Sequence, residues 1–482
     1  MDEQNKTKPI VPNILWAFAE RFLAQLVTLC VSVILARLLS PEDYSIVAIV
    51  TIFITIANVF VTSGYGSALI QKQNADELDF SSTLIFSLLF SVLLYVILFL
   101  AAPFIADFYH IPLLIPVVRV LSLRIIFAAI NTIQQAYVSK QMAFKKFFLS
   151  TSIGTIVSAV VGIVMAYNGF GVWALVAQYL TNTMVDTVVL SVVSRWRFKF
   201  CFSASRLKGL IPYGSKLLIS DLFSNFYTQL RGLLMSRFYA PVDLSYYNQS
   251  EKYTSIFINN IGVSINKVMF QIASNTQDDL KQLKELTRKT VRLAFFILCP
   301  IQIGLAASAE TWIPLLLTEK WLPCVPHLQI LCFAYLMDPI IESHTRNMKA
   351  LKQGNRLLAI MILRYSVGIL LLVLTLFYTR HAVVLTATLI PIKLFAVIVC
   401  GAEDRKLVGY SFYEQLSDLA KSFFVGMVMG VVVYALGTVE INAFLRLIMQ
   451  LTVGVLVYIV FSLLINKSVL CDCFKVVTKG KK

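Results

Sequence analysis

Long apolar runs, separated by short polar segments, follow one another along almost the whole chain. A helix needs about 20 apolar residues to cross about 30 Å of hydrocarbon. Fourteen runs approach or exceed this length, which predicts an all-α integral membrane protein with about fourteen transmembrane helices. The approximate spans are 14–38, 44–70, 82–108, 112–138, 149–167, 171–194, 210–237, 246–272, 290–308, 324–346, 357–378, 382–402, 415–437 and 443–466.

Lysine and arginine are distributed unequally between the two sides of this predicted bundle. When the N-terminus is placed in the cytoplasm, 27 of the 42 basic residues lie in cytoplasmic segments and 4 in the opposite loops. Cytoplasmic loops of membrane proteins carry such an excess, so both termini are predicted to be cytoplasmic. The tryptophans agree, because they fall at the predicted interfaces: Trp16 and Trp196 inside, and Trp173, Trp312 and Trp321 outside.

A short motif occurs twice in the chain. The spacing R-x3-P-x-D begins at Arg37 and again, 200 residues later, at Arg237. Each copy follows a helix with polar or small residues at the spacing of one helix face. These two stripes are Arg21, Gln25, Thr28 and Ser32 in the first half, and Asp221, Asn225, Thr228 and Gly232 in the second.

An offset of six helices preserves orientation, which predicts a parallel repeat with substrate bound between the halves. The alternative is that the stripes only hold helices together. The predicted parts are an N-lobe of six helices (1–208), a C-lobe of six helices (209–402), and two further helices with a cytoplasmic tail (403–482).

Charged residues also fall inside the predicted spans. Each central charge costs roughly 2.5–3.5 kcal/mol to insert, so it must face water, pair with another charge or bind a ligand. The residues predicted to bind substrate in an aqueous chamber are Arg21, Gln25, Arg124, Lys216, Asn225, Arg231, Lys252, Lys267, Arg364 and Lys393. The candidates for coupling to an ion are Asp221, Asp338 and Glu342. Cations outnumber acids, which predicts an anionic ligand.

Two alternatives bear on this chamber. Glu251 and Lys252 stand near the outer end of their span, where water alone would solvate them. Pro300, Pro339 and Pro391 fall near the middles of their spans, where proline interrupts the helical hydrogen bonds. They indicate either static kinks or hinges for alternating access.

Several function classes lack support in the sequence. There is no G-x4-G-K-[ST], H-E-x-x-H or G-x-S-x-G motif, and the outer loops are too short for an active-site domain. The net charge of +16 follows mostly from membrane orientation, so it does not indicate nucleic-acid binding. We therefore expect a carrier and not an enzyme, with no catalytic residues, metal or cofactor.

The run LARLLSPEDY at 35–44, followed by GYGSALIQ at 64–71, resembles the opening of Wzx-type polysaccharide flippases. These flippases belong to the MOP (multidrug/oligosaccharidyl-lipid/polysaccharide) exporter superfamily, and the resemblance is to the WzxC/TuaB-like branch. The likeness extends along the chain as two six-helix lobes and two C-terminal helices. Ser45 departs from the family pattern, which usually has glycine there.

The resemblance implies a flippase in the bacterial inner membrane that works by alternating access. Its cargo would be an undecaprenyl-diphosphate-linked oligosaccharide, moved from the cytoplasmic to the periplasmic leaflet for O-antigen, capsule or exopolysaccharide biosynthesis. It also implies that Arg21 points toward a central cavity. Membrane lipids, a coupling H⁺ or Na⁺ and a polysaccharide polymerase are the other expected partners.

Three rival functions remain open from the sequence. A lipid II-type flippase is poorly separated by sequence. A MATE-like small-molecule antiporter should have an acidic, aromatic cavity, whereas this chain offers mostly cations. A membrane-embedded glycan polymerase or ligase should carry a long outer loop with paired acids or histidines, and none is found here.

The charge asymmetry predicts that positions 208 and 482 are cytoplasmic and position 320 is periplasmic. Lys208→Cys, Lys320→Cys and Lys482→Cys, each in a background without the native cysteines, can be treated with an impermeant thiol reagent. In intact cells only the 320 position should react, and all three should react after permeabilisation. Labelling of position 208 from outside would contradict this topology.

Overall fold

The computed structural model describes residues 25, 27–63, 65–72, 75–141, 143–194, 198, 201–275 and 279–471. All secondary structure in these ranges is helical. The chain divides into two compact units, Met1–Leu244 (unit 1) and Ser245–Lys482 (unit 2). The predicted boundaries at residues 208 and 402 are not tested by this division and stay a prediction.

Unit 1 contains nine helices within the described residues. They are α1 (Val27–Leu38), α2 (Pro41–Thr62), α3 (Tyr65–Gln71), α4 (Glu77–Tyr109), α5 (Leu114–Leu121), α6 (Arg124–Lys140), α7 (Phe144–Tyr167), α8 (Val172–Ser194) and α9 (Ala204–Phe238). Buried aliphatic residues of α2, α4, α5 and α8 form its main core.

Unit 2 begins near the start of α10. Its α-helices in the described part of the chain are α10 (Pro241–Asn275), α11 (Leu280–Ala307), α12 (Ala309–Leu317), α13 (Cys324–Tyr335), α14 (Asp338–Ala350), α15 (Gly354–Tyr378), α16 (Ala382–Ala387), α17 (Leu389–Val408), α18 (Phe412–Gly437) and α19 (Ala443–Ile465). Residues of α11, α14, α17 and α18 dominate its core.

Helices occupy the predicted spans wherever the structure describes them. Eleven helical spans among the described residues are long and apolar enough to cross a membrane. The helices α9 and α10, each of 35 residues, are more polar and are not among the eleven. The all-α membrane class is confirmed, and the count of fourteen stays a prediction.

The repeated motif marks the start of a helix in both halves. Pro41 opens α2, where its missing N–H costs nothing and its fixed φ suits the first helical turn. Ser40 and Asp43 complete a capping box, in which each side chain accepts a hydrogen bond from the other residue's backbone N–H. Pro241 opens α10 in the same way, with Asp243 in its first turn. The shared spacing therefore has a local cause, the chemistry of a helix N-terminus.

Two of the three prolines break their spans. Proline removes an N–H and its ring clashes with the carbonyl four residues earlier. The residue four positions before Pro339 is Tyr335, where α13 ends, and the one before Pro391 is Ala387, where α16 ends. Each of these two spans is therefore a pair of helices with an irregular joint between them.

Pro300 behaves differently, because α11 continues through it. The carbonyl of Phe296, four residues earlier, loses its helical donor. The Tyr458 hydroxyl donates a 2.8 Å hydrogen bond to that oxygen and replaces it. The structure therefore favours a static accommodation at Pro300.

Ion pairs join neighbouring helices in each unit. In unit 1 the fully buried Asp79 receives Lys72 Nζ at 2.7 Å. In unit 2 Asp418 of α18 pairs with Arg288 at 2.8 Å and also with Arg292, both of α11. Such pairs neutralise carboxylates that would otherwise be costly to remove from water.

Close packing of α18 on α11 depends on small residues. A Cβ added at Gly430 would lie 2.5 Å from Ile303 Cγ2, whereas one added at Gly304 would lie 3.6 Å from its nearest atom, Met429 Cε. Only the first position lacks room for a methyl group, since 3.6 Å is ordinary van der Waals contact.

Gly430→Ala is therefore expected to destabilise the protein by about 1–3 kcal/mol, the usual cost of overpacking a core. Its thermal unfolding midpoint in detergent should fall. Gly304→Ala is the matched control, because both changes give the same gain in helix propensity and only one produces the overlap. Equal thermal unfolding midpoints for the two variants would contradict the close packing of Gly430 against Ile303.

Candidate substrate site

Unit 2 contains two adjoining polar cavities. One has a volume of about 460 Å³ and is lined by residues of α10, α13 and α14. The other has a volume of about 470 Å³ and is lined mainly by α11, α14 and α15. Both are lined by Ile258, Asn259 and Asp338, so the two spaces adjoin, and we call them together the charged cavity.

One ion pair stands beside the first cavity, next to the joint between α13 and α14. Asp338 is the first residue of α14, and its carboxylate lies 2.6 Å from Lys393 Nζ on α17. The same ammonium lies 3.8 Å from the centre of the Tyr335 ring. Tyr335 in turn donates a 2.6 Å hydrogen bond to Glu251 of α10. A continuous polar network therefore runs from Glu251 to Lys393, beside Lys252 in the cavity wall.

One face of α14 lines the second cavity. Asp338, Glu342, Arg346 and Lys349 stand at spacings of four, four and three, which place them on one side of the helix. Arg364 of α15 lines the same space. The acids stand toward the N-terminus of α14 and the bases toward its C-terminus.

The charge balance of the charged cavity is positive. Lys252, Arg346, Lys349 and Arg364 line it, and Lys393 is bound to its wall through Asp338. The acids that line it are Glu251, Asp338 and Glu342. The lining residues are thus four cations and three acids, with the paired Lys393 behind them. That the ligand is an anion stays a prediction.

The structure brings five of the predicted residues together: Lys252, Arg364, Lys393, Asp338 and Glu342. Water is not the only partner of Glu251, because Tyr335 donates a hydrogen bond to it. Whether these residues bind substrate stays a prediction.

Arg124 lies elsewhere, in unit 1. Its Nε donates a 2.8 Å hydrogen bond to Thr183 of α8. Farther along the same helix pair, Asn131 donates a 3.0 Å hydrogen bond to Asp186. This ladder of polar pairs joins α6 to α8, which is the role of polar residues between membrane helices.

The second polar stripe also serves local packing. Asn225 donates a 2.9 Å hydrogen bond to the backbone carbonyl of Asp221. Gly232 leaves no room for a side chain, because an added Cβ would lie 2.9 Å from Ile52 Cδ1 of α2. Arg231 is buried within unit 1 with 5% of its surface exposed. Asp221 and Asn225 do not line the charged cavity.

The remaining predicted residues give less information. Gln25 is half-buried in a helical position at the start of the described chain. Arg21 lies outside the described residues, and the side chains of Lys216 and Lys267 are also outside them, so their predicted roles stay predictions.

Four residues of the charged cavity did not emerge from the sequence as ligands. Arg346 and Lys349 were counted as charges of a cytoplasmic loop, and Glu251 as solvated. Tyr335 carries no charge, so the distribution of charges along the chain does not indicate it. The available signal was helical spacing, since Asp338, Glu342, Arg346 and Lys349 already form one face when counted forward from Pro339.

Metal binding has no support in the part of the chain that the structure describes. No group of three or more His, Cys, Asp or Glu side chains there is arranged to hold a metal ion. The chemistry available in the charged cavity is therefore charge pairing and hydrogen bonding.

Comparison with known proteins identifies the family. A family model described as "Polysaccharide biosynthesis protein" matches residues 34–326, more than half of the 482-residue chain. The chain belongs to this family.

Relatives in the family extend along most of the chain. It is 24% identical over 452 residues to the succinoglycan biosynthesis transport protein ExoT of Rhizobium meliloti, covering 91% of this chain and 89% of ExoT. It is 23% identical over 474 residues to the teichuronic acid biosynthesis protein TuaB of Bacillus subtilis, covering 94% and 95%. The lipopolysaccharide biosynthesis protein WzxC of Escherichia coli is 21% identical over 309 residues, covering 64% and 63%. These relatives confirm the predicted resemblance.

Solved structures show the fold of this family member. The lipid II flippase MurJ in an inward closed conformation has a TM-score of 0.78 at 17% identity, covering 95% of this chain and all of MurJ. An inward-facing MATE transporter of the MOP superfamily has a TM-score of 0.58 at 16% identity, covering 85% and 95%. These structures confirm the predicted MATE/MOP-like fold class. The assignment to a carrier, not an enzyme, rests on the family match and on relatives such as the transport protein ExoT, which bear it out.

The pair between Lys393 and Asp338 should contribute measurably to stability. Lys393→Ala leaves the Asp338 carboxylate without its cation, which should cost about 2 kcal/mol, as for other charge-assisted hydrogen bonds. Adding Asp338→Asn should restore the thermal unfolding midpoint in detergent. Lys406→Ala, which removes an exposed pair with Glu403, should have little effect and serves as the control. If the effects of Lys393→Ala and Asp338→Asn on the unfolding midpoint were strictly additive, the pairing of the two residues would be contradicted.

Proposed function

We propose that this protein is a flippase for surface polysaccharide biosynthesis. Its substrate is an undecaprenyl-diphosphate-linked oligosaccharide, which it moves from the cytoplasmic to the periplasmic leaflet. The observation that carries the proposal is the charged cavity, a polar space with an excess of cations inside a helical membrane protein. The names of ExoT, TuaB and WzxC support the same class of cargo.

The physical problem in this transport is the removal of polar groups from water. Each hydroxyl of a glycan costs about 4–8 kcal/mol to transfer into a medium that cannot form hydrogen bonds. A cavity lined by charged and amide side chains provides partners in place of water. The polyprenyl tail needs no such path, because it stays in the hydrocarbon.

The charged cavity offers groups for both parts of the headgroup. Lys252, Lys393 and Arg364 supply positive charge for the diphosphate. Asn248 and Asn259 line the same space and supply amide groups that both donate and accept hydrogen bonds, which suits sugar hydroxyls. Arg21, Lys216 and Lys267 complete the proposed ligands from the sequence alone.

Alternating access requires parts of the bundle that can change shape. The joints before Pro339 and Pro391 supply interruptions beside the cavity, and we propose that they act as hinges. Coupling to H⁺ or Na⁺ belongs to the same proposal. Asp338 and Glu342 are then the coupling acids, because both line the cavity.

The proposed location is the bacterial inner membrane, with both termini in the cytoplasm and a polysaccharide polymerase receiving the product. The basic residues of the short loops support this orientation. The fold shared with MurJ and with MATE transporters leaves a lipid II flippase and a small-molecule antiporter as rivals. The cation excess disfavours the export of cationic drugs.

Lys252→Ala should reduce surface polysaccharide in cells that depend on this protein for export. Loss of one charge-assisted contact is worth roughly 1.5–3 kcal/mol, or about 10- to 150-fold in affinity. Surface glycan and the polyprenyl-diphosphate intermediate in the membrane would be measured at equal protein level. The intermediate should accumulate as surface glycan falls.

Lys289→Ala is the matched control, because this lysine is exposed on α11 and does not line the charged cavity. It should leave export unchanged. If cells that lack the protein show normal surface glycan and altered drug resistance, the flippase proposal is wrong and the antiporter is favoured.

A further inference from the structure

Unit 1 contains a cavity of its own, with a volume of about 670 Å³, which we call the apolar cavity. Its walls come from α4, α6 and α8, with Phe198 beyond the end of α8. Of the eight described residues that line it, six are apolar and none is charged. The two polar ones are Gln134 of α6 and Ser191 of α8. This combination is typical of small-molecule sites, which have volumes of about 300–1,000 Å³ and a few polar groups on apolar walls.

The two polar residues form a third pair in the ladder between α6 and α8. Gln134 Nε2 donates a hydrogen bond to Ser191 Oγ, and that hydroxyl donates a 2.8 Å hydrogen bond to the Thr187 carbonyl. Because a hydroxyl has only one hydrogen to donate, Ser191 accepts from Gln134, which orients the amide. Gln134 is 3% exposed, and its Oε1 atom is buried with no hydrogen-bond partner among the described residues. A buried acceptor therefore remains in the wall of the apolar cavity.

The unpaired oxygen indicates the kind of ligand. Buried polar groups are normally paired, so an unpaired acceptor in a cavity wall favours a ligand that donates a hydrogen bond. The last torsion of a glutamine side chain is broad, which lets a small rotation turn Oε1 toward the cavity. A charged ligand would be buried without a counter-charge from the described lining residues, at a high cost. The expected ligand is thus uncharged, with one donor on an apolar body.

The apolar cavity reaches the surface of unit 1 that faces lipid. The helix α4 is long and apolar enough to cross a membrane, and only 22% of its most apolar stretch is buried inside the protein. Within the cavity wall, Leu84 is 4% exposed, whereas Leu89 is 68% exposed on the outer side of the same helix. A ligand can therefore enter from the hydrocarbon of the membrane.

Volume and depth indicate which part of a lipid fits. Groups of about the size of a water molecule, such as methylenes, take about 30 Å³ each, so the cavity holds about 20 of them. This suits one acyl chain and not the much longer undecaprenyl chain. Gln134 and Ser191 lie four and three residues from the predicted cytoplasmic ends of their spans, at 138 and 194. At 1.5 Å per residue the acceptor lies about 6 Å below the predicted headgroup level, where the chain of a lipid joins its polar end.

We propose that the apolar cavity binds one uncharged lipid alcohol from the membrane, with the chemistry of a monoacylglycerol. Its acyl chain lies between α4 and the pair formed by α6 and α8, and a glycerol hydroxyl donates a hydrogen bond to Gln134 Oε1. The bound lipid supplies the missing donor and joins α4 to the polar ladder. The site uses no residue of the charged cavity, so it does not rest on the proposed flippase function.

Photo-crosslinking of the full-length protein in phosphatidylcholine nanodiscs tests the site. The probe is monopalmitoylglycerol with a diazirine in its acyl chain, and mass spectrometry locates the labelled peptides, which should belong to α4, α6 or α8. The competitors are unlabelled monopalmitoylglycerol, its di-O-methyl ether and geranylgeraniol. The free alcohol should compete about 2- to 12-fold better than its ether, because the ether has no hydrogen to donate and loses one hydrogen bond.

Two pairs of variants separate the hydroxyl contact from the occupancy of the cavity. Gln134→Leu removes the acceptor at similar size, so the alcohol and its ether should compete equally. Gln135→Leu is its matched control, because Gln135 is exposed and does not line the cavity, and it should keep the difference. Leu88→Trp should fill the cavity and abolish the labelling. Leu93→Trp, at a position of α4 that is 53% exposed and outside the lining, should not.

Three results would overturn the proposal. Equal competition by the alcohol and its ether in the unchanged protein would remove the hydrogen bond to Gln134. Unchanged labelling in a folded Leu88→Trp variant would place the lipid outside the cavity. Tighter competition by geranylgeraniol than by monopalmitoylglycerol would replace the acylglycerol with an isoprenoid alcohol. The thermal unfolding midpoint shows which variants fold, and each pair tests the site without the other.

Discussion

The dominant constraint on this molecule is the cost of placing a charge in hydrocarbon without a partner. Among the described residues, the carboxylates of Asp79, Asp338 and Asp418 each lie within 2.8 Å of a basic nitrogen. The first joins the end of α3 to the start of α4, the Asp418 pair joins α11 to α18, and the Asp338 pair joins two broken spans beside the charged cavity. At Asp338, the contact that neutralises the carboxylate also forms part of the polar cavity.

Much of the architecture follows from patterns that are local in sequence. Apolar length predicted the helices, because crossing the hydrocarbon sets a minimum length. The prolines predicted interruptions near the middles of their spans, and α13 and α16 end at the residues four positions before Pro339 and Pro391. Pro300 could not be interpreted this way, because its outcome depends on Tyr458, which is distant in sequence and supplies the missing donor.

The candidate site was harder to predict, because burial and partners decide it. A basic residue inside a span can line a cavity, as Arg364 does, or join two helices, as Arg124 does, and the sequence looks the same. The interfacial tryptophans show the same limit. The outer-interface depth predicted for Trp312 and Trp321 stays a prediction, and the structure adds that both rings are buried in unit 2 against Tyr253 and Tyr246. An amphipathic ring can find its polar partner within the protein as well as in a headgroup layer.

The order of charges along α14 has a consequence for how the helix tolerates mutation. A helix carries partial positive charge at its N-terminus and partial negative charge at its C-terminus. Asp338 in the first turn and Lys349 in the last turn complement both ends. Exchanging the two residues would conserve composition and net charge while opposing the dipole at both ends. The order of charged residues along α14 therefore matters as well as their number. The same residues in reverse order would form a less stable helix at this wall of the cavity.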